Sequence, residues 1–191
     1  APDITNVFTS EIISVLSTNL QDRGYSTFLA ISNHDPKAEN DLINLMLERR
    51  VSGIILLGTR RISENNDTLL DSAARSVPMV VIDYTTNCNM YCVRIDEAAG
   101  IYKAVQYLYD IGHRKIAFIN GPVSLISHYY KNVGYKQAMA DLGLQNVAKE
   151  YAVEISPDYA GGAKGVSILL GNRSIPTAIV TGGDTIAIGA Y

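Results

Sequence analysis

The sequence predicts an α/β fold of the doubly wound type, and three observations carry the prediction. Short apolar runs recur along the chain, each is followed by a stretch of helical period, and the helical stretches carry their own start and stop residues. The runs are 26–31 (STFLAI), 53–57 (GIILL), 79–82 (MVVI), 92–95 (CVRI), 115–119 (KIAFI), 152–155 (AVEI) and 177–180 (TAIV). Strands this apolar on both faces suit a parallel sheet with helices on each side. Strand alternating with helix gives the doubly wound arrangement.

The helices are read in chain order. Phe8, Ile12, Val15 and Leu16 share one face of the first, and Gly24 stands just past its end. The second opens at Asp35-Pro36, a cap followed by proline at the first helical position. Its apolar face is Ala38, Leu42, Leu45 and Met46, and Arg49 and Arg50 fall in its last turn, where cations complement the helix dipole. The third is expected over 67–76, the fourth over 97–111 up to Gly112, and the fifth over 130–142 up to Gly143. The sixth covers 161–170 and the last starts near Asp184.

Right-handed crossovers place the carboxyl ends of all strands on one edge of their sheet, and ligands bind at that edge. The positions of interest are therefore 32–35, 58–60, Asp83, Asp96, 120–131, 156–159 and 181–184, with 1–8 joining them if a strand precedes. Asp83, Asp96 and Asp184 each stand at or just past a predicted strand end. A carboxylate there accepts paired hydrogen bonds from sugar hydroxyls or a base edge, or it caps the turn that follows. Phe8 either stacks on a ligand ring or belongs to the core face it shares with Ile12.

The bulk properties exclude several classes. One core or two small lobes account for 191 residues. A net charge of −3 argues against this segment gripping a phosphate backbone. No apolar run approaches the roughly 20 residues of a membrane span, and no basic start followed by an apolar segment resembles a leader. Cys88 and Cys92 are the two cysteines, with no histidine pair nearby, so neither a metal nor another cofactor is expected. They read as two thiols in a reducing cytoplasm, a local disulfide being the alternative.

No reactive set for catalysis can be assembled, so no catalytic residue is assigned and the chain is not expected to be an enzyme. There is no G-x-S-x-G elbow, and His34, His113 and His128 are scattered. His113 follows Gly112 at a helix end, where it is expected to cap carbonyls. Gly161-Gly162-Ala163-Lys164-Gly165 fits neither phosphate-loop nor dinucleotide spacing, and its glycines are expected to allow close helix packing.

Five stretches taken together resemble the lactose-repressor (LacI/GalR) family. Pro2-Asp3-Ile4-Thr5-Asn6-Val7-Phe8 is similar to its V-P-D-I-T-N-P-F-F, and Arg49-Arg50-Val51-Ser52-Gly53-Ile54-Ile55-Leu56 to its R-R-V-D-G-I-I-L. Residues 112–122, GHRKIAFINGP, resemble its G-H-R-R-I-A-F-I-G-G-P. Residues 134–139 resemble its G-F-x-x-A-L, and residues 182–190 its x-N-D-x-M-A-I-G-A. Number, order and spacing of these pieces cover essentially the whole chain.

The resemblance implies two doubly wound parallel-sheet lobes of the periplasmic-binding-protein-like type, truncated at both ends. The amino-terminal lobe would run over 1–119 without its first strand, and an incomplete carboxyl-terminal lobe over 120–191. The effector would lie in the cleft between them. Carried over one position at a time, the family's aromatic pair falls on Phe8 and Thr9, so one ring is kept and one lost. Its effector-gripping arginine falls on Lys131, which keeps the charge without the planar fork. The polar position four residues earlier is Ser127. Asp83 and Asp184 keep the family's aspartates, while Gly183 replaces an asparagine.

The function implied is the effector domain of a cytoplasmic transcriptional repressor. A small sugar or related metabolite would close the lobes of a homodimer and change operator binding through a helix-turn-helix not present in this chain. The helix at 38–49 and the 67–76 region are the expected dimer surfaces. A secreted sugar-binding protein of a transport system is the alternative reading. No membrane partner is expected.

Overall fold

The structure, a computed structural model, describes residues 1–33, 35–58, 67–82, 90–172 and 174–191, the side chains of Asp67 and Thr68 excepted. These residues form two compact units, one drawn from positions 1–94 and the other running Ile95–Tyr191. His34, Asp83 and Cys88 lie outside the described residues.

The first unit contains α1 (Val7–Gln21), α2 (Pro36–Glu48), β1 (Ile54–Leu57), α3 (Asp67–Ser76), β2 (Met79–Ile82) and β3 (Tyr91–Val93). Its sheet has the order β1-β2-β3, all parallel, with Ile54 opposite Met79 and Val80 opposite Tyr91. The core is built from Ile43, Leu70 and Ala73 of the helices over Ile54, Leu56, Met79 and Val81 of the strands. Asp35 caps α2 by accepting from the Lys37 N–H, as its pairing with Pro36 predicts.

Two expectations fail in this unit. Residues 26–31 run without a strand ladder. The backbone bonds here join Ala1 instead, with the terminal ammonium donating to the Ala30 carbonyl at 2.8 Å and the Ser32 N–H to the Ala1 carbonyl at 2.9 Å. The expected face of α1 is also not buried. Phe8 and Val15 are exposed and Thr9 is buried, and among the described residues the unit's core cluster draws on α2, α3, β1 and β2 and takes nothing from α1.

The second unit contains α4 (Glu97–Asp110), β4 (Ile116–Asn120), α5 (Ile126–Asp141), α6 (Gln145–Tyr151), β5 (Ala152–Glu154), α7 (Tyr159–Leu170), β6 (Ala178–Thr181) and α8 (Asp184–Ala190). The sheet order is β5-β4-β6, again parallel. All five residues of β4 are buried. Ile116 and Phe118 enter one cluster with Val105, Tyr135 and Met139, whereas Ala117 and Ile119 enter another with Tyr151, Leu169 and Ile186. A central strand covered on both faces is what its unbroken apolar run predicts.

The boundary between units precedes α4, whereas the expected division follows Ile119. Val105 of α4 is buried against β4 and α5, with Ile101, Tyr102, Ala104 and Leu108 packed beside it, and this burial ties α4 and β4 to the second unit. Helix α6 carries no start signal that the sequence reading used, and Ala148 and Tyr151 tie it to the core. Gly24, Gly112 and Gly143 all adopt positive φ just past helix ends, as expected of stop residues. Glycines on both helices let α7 and α8 pack closely: a Cβ on Gly162 of α7 would run into the Ile186 carbonyl of α8, and one on Gly189 of α8 into the Tyr159 carbonyl of α7.

Candidate functional site

In the second unit the carboxyl ends of β5, β4 and β6 share one edge, with Asn120 opposite Glu154 and Ile119 opposite Thr181. Helix α5 leaves this edge after the turn at 121–125. It starts at Ile126, four positions before the expected residue 130, with no side-chain cap to mark it. The earlier start puts Ser127 and Lys131 one helical turn apart on the same face.

That face meets the first turn of α4. Ser127 Oγ donates to Glu97 Oε1 at 2.6 Å, and Lys131 Nζ lies 3.1 Å from the same oxygen. Both charged side chains are mostly withdrawn from solvent, 20% exposed for Lys131 and 16% for Glu97. The second oxygen, Oε2, is buried and has no hydrogen-bond donor. The helices come this close because position 134 is glycine: a Cβ there would lie 2.2 Å from the Ala98 carbonyl of α4.

A second set of contacts fixes the start of α5. Asn120 Nδ2 donates to the His128 carbonyl at 2.9 Å, and His128 Nδ1 donates to Asn120 Oδ1 at 2.8 Å. The two bonds clamp the end of β4 to the helix turn that carries Ser127. Burial, assisted by the neighbouring Lys131 charge, pushes the His128 pKa down from 6.5 to about 4, so the ring is neutral near pH 7. Asn120 is itself pressed against the loop after β6, where a Cβ on Gly182 would lie 2.2 Å from Oδ1.

Ser127 and Lys131 are brought together through Glu97. Asp184 is the exposed first residue of α8, two positions beyond Gly182, and the cap position is taken by Gly183 with no side-chain cap bond. Capping is thus not the role of Asp184, while Asp96 does cap α4 by accepting from the Ala99 N–H at 2.9 Å. In the first unit, Phe8 is exposed in the first turn of α1 and Thr9 is buried beside it, both with N–H groups directed at Asn6 Oδ1. His113 does not cap α4 with its ring, whose Nδ1 lies 2.9 Å from Thr177 Oγ1. Arg114 takes that role, donating to the Tyr109 carbonyl at 2.8 Å. Glu97 is the residue that sequence reasoning missed. Its only signal was an acidic side chain in a helix's first turn, which reads as a complement to the dipole.

Parallel sheets flanked by helices, with polar side chains gathered at a carboxyl edge, define the α/β class that carries ligands at that edge. The chain belongs to the family of periplasmic binding proteins and the sugar binding domain of the LacI family, whose model matches residues 1–191. It is 30% identical over 190 residues to the HTH-type transcriptional repressor CytR of Escherichia coli (strain K12), covering 99% of this chain and 54% of that protein. It is 34% identical over 190 residues to Catabolite control protein A of Priestia megaterium, covering 98% and 56%. Among solved structures, a LacI transcriptional regulator from Rhodococcus superposes with a TM-score of 0.81 at 29% identity, over 96% of this chain and 66% of that one. The chain thus spans about half the length of the curated relatives it matches. No helix among the described residues is long and apolar enough to cross a membrane.

Proposed function

We propose that this chain is the effector-binding region of a DNA-binding transcriptional repressor and that its second unit holds a small sugar or related metabolite at the carboxyl edge of β4. The observation that carries the reading is the meeting of Ser127 and Lys131 on Glu97, because those two positions are where the resemblance puts effector contacts. Asp184 contributes an exposed carboxylate from the neighbouring loop. Phe8, Thr9 and Asp83 are further proposed contacts, on the resemblance alone.

The effector works through differential affinity for two states of the repressor, which changes operator binding. The DNA contacts come from a helix-turn-helix of the kind the name of the CytR relative carries, and the working form is a cytoplasmic homodimer. The CytR relative is named a transcriptional repressor, which favours regulation over sugar transport and over catalysis.

The test is a thermal-shift screen of neutral sugars and nucleosides on the full-length protein, followed by operator gel shifts with each hit. A hit should change operator affinity, and Lys131→Ala or Asp184→Asn should weaken the hit's binding. Hits whose affinity ignores both substitutions would remove this edge from the effector site.

A further inference from the structure

Resting on that reading of the site, we propose that Glu97 sets the charge class of the ligand: it neutralises Lys131, so that the edge admits uncharged polyhydroxyl compounds and excludes phosphorylated ones. A lysine standing free at a sheet's carboxyl edge is a natural partner for a phosphate. Here its ammonium is held at 3.1 Å from a carboxylate that is itself largely buried. A phosphate would have to break that pair and leave the Glu97 charge uncompensated, a costly state away from water.

The surroundings have the same sign. Glu154 ends β5 at this edge, with Oε2 accepting from the Val123 N–H at 3.3 Å. Asp158 caps α7 just beyond and Asp184 opens α8. Among the residues named at this edge, Lys131 is set against the carboxylates of Asp96, Glu97, Glu154, Asp158 and Asp184, and His128 is neutral near pH 7.

The experiment is titration calorimetry on the full-length protein with matched pairs: ribose and ribose 5-phosphate, glucose and glucose 6-phosphate, cytidine and cytidine 5′-monophosphate. The neutral member of any pair that binds should bind at least about tenfold more tightly than its phosphorylated partner. Glu97→Gln, which frees the Lys131 charge, should shrink or reverse that ratio. A salt series on the unsubstituted protein is independent of how the variant folds: screening should leave the neutral ligand's affinity level and raise the phosphorylated ligand's. Tighter binding of a phosphorylated member to the unsubstituted protein, or a ratio untouched in folded Glu97→Gln, overturns the inference while leaving the effector site standing. Binding that is indifferent to Lys131→Ala and Ser127→Ala across the whole panel overturns the site itself and the inference with it.

Discussion

Alanine at position 182 should disturb a site that it does not touch. A Cβ there would sit 2.2 Å from Asn120 Oδ1 and 3.1 Å from its Cγ, where ordinary contact needs roughly 3.5 Å. Asn120 cannot swing aside freely, because Oδ1 accepts from His128 and Nδ2 donates to the His128 carbonyl. Displacing it breaks both bonds among buried groups, at about 1–3 kcal/mol each, so Gly182→Ala should cost about 2–6 kcal/mol of stability. Asn120→Gly removes the obstacle but loses the same two bonds, and should cost a similar amount. The two losses are one loss. The double variant should therefore be about as stable as Asn120→Gly alone, a coupling of about 2 kcal/mol or more. Urea denaturation of the four proteins of the cycle measures this. Costs that simply add would refute the clamp.

Protonation gives a second test of the same clamp. An unfolded histidine takes up a proton near pH 6.5, whereas folded His128 resists until about pH 4. Stability is then full above that upper value and falls as pH drops between the two, by about 2 kcal/mol from pH 7.5 to 5. His128→Gln should flatten this slope in pH-dependent urea melts, and an unchanged slope would count against a buried neutral ring. Gly134→Ala should force α5 off the Ala98 backbone, costing about 1–3 kcal/mol or more as over-packing does and lowering the denaturation midpoint. Equal midpoints would mean that α4 and α5 have room to spare. Asp184→Ala should change stability by no more than a few tenths of a kcal/mol, since the residue is exposed and makes no cap bond. A loss near 1 kcal/mol, the usual cost of a missing cap, would reinstate capping as its role.

Much of the fold was legible because local signals and tertiary demand agree. The runs at 79–82 and 115–119 become β2 and β4 almost residue for residue, and Asp35-Pro36 and Gly112 mark helix ends where chain-local chemistry predicts them. The errors arise where a neighbour decides. Residues 26–31 have the composition of a strand, yet they run without a strand ladder. The apolar stripe of α1 is periodic, yet burial goes to Thr9. Helix α4 could belong to either unit by sequence position, and Val105 packing against β4 decides it.

The site divides along the same line. Ser127 and Lys131 could be named in advance from the resemblance, and their spacing of four follows from the helix alone. Glu97 could not, since it lies 30 residues before Ser127 and meets it only because a glycine at 134 lets two helices touch. Asn120 was visible as a departure from the glycine of the family pattern, but a departure acquires meaning only with its partner. Gly182 leaves the space that Asn120 occupies, and Asn120 holds the turn that aims Ser127 and Lys131. The exchange of arginine for lysine follows the same logic. Arginine's fork would seek both oxygens of a carboxylate, whereas here one oxygen of Glu97 takes both Ser127 and Lys131 and the other is left without a donor.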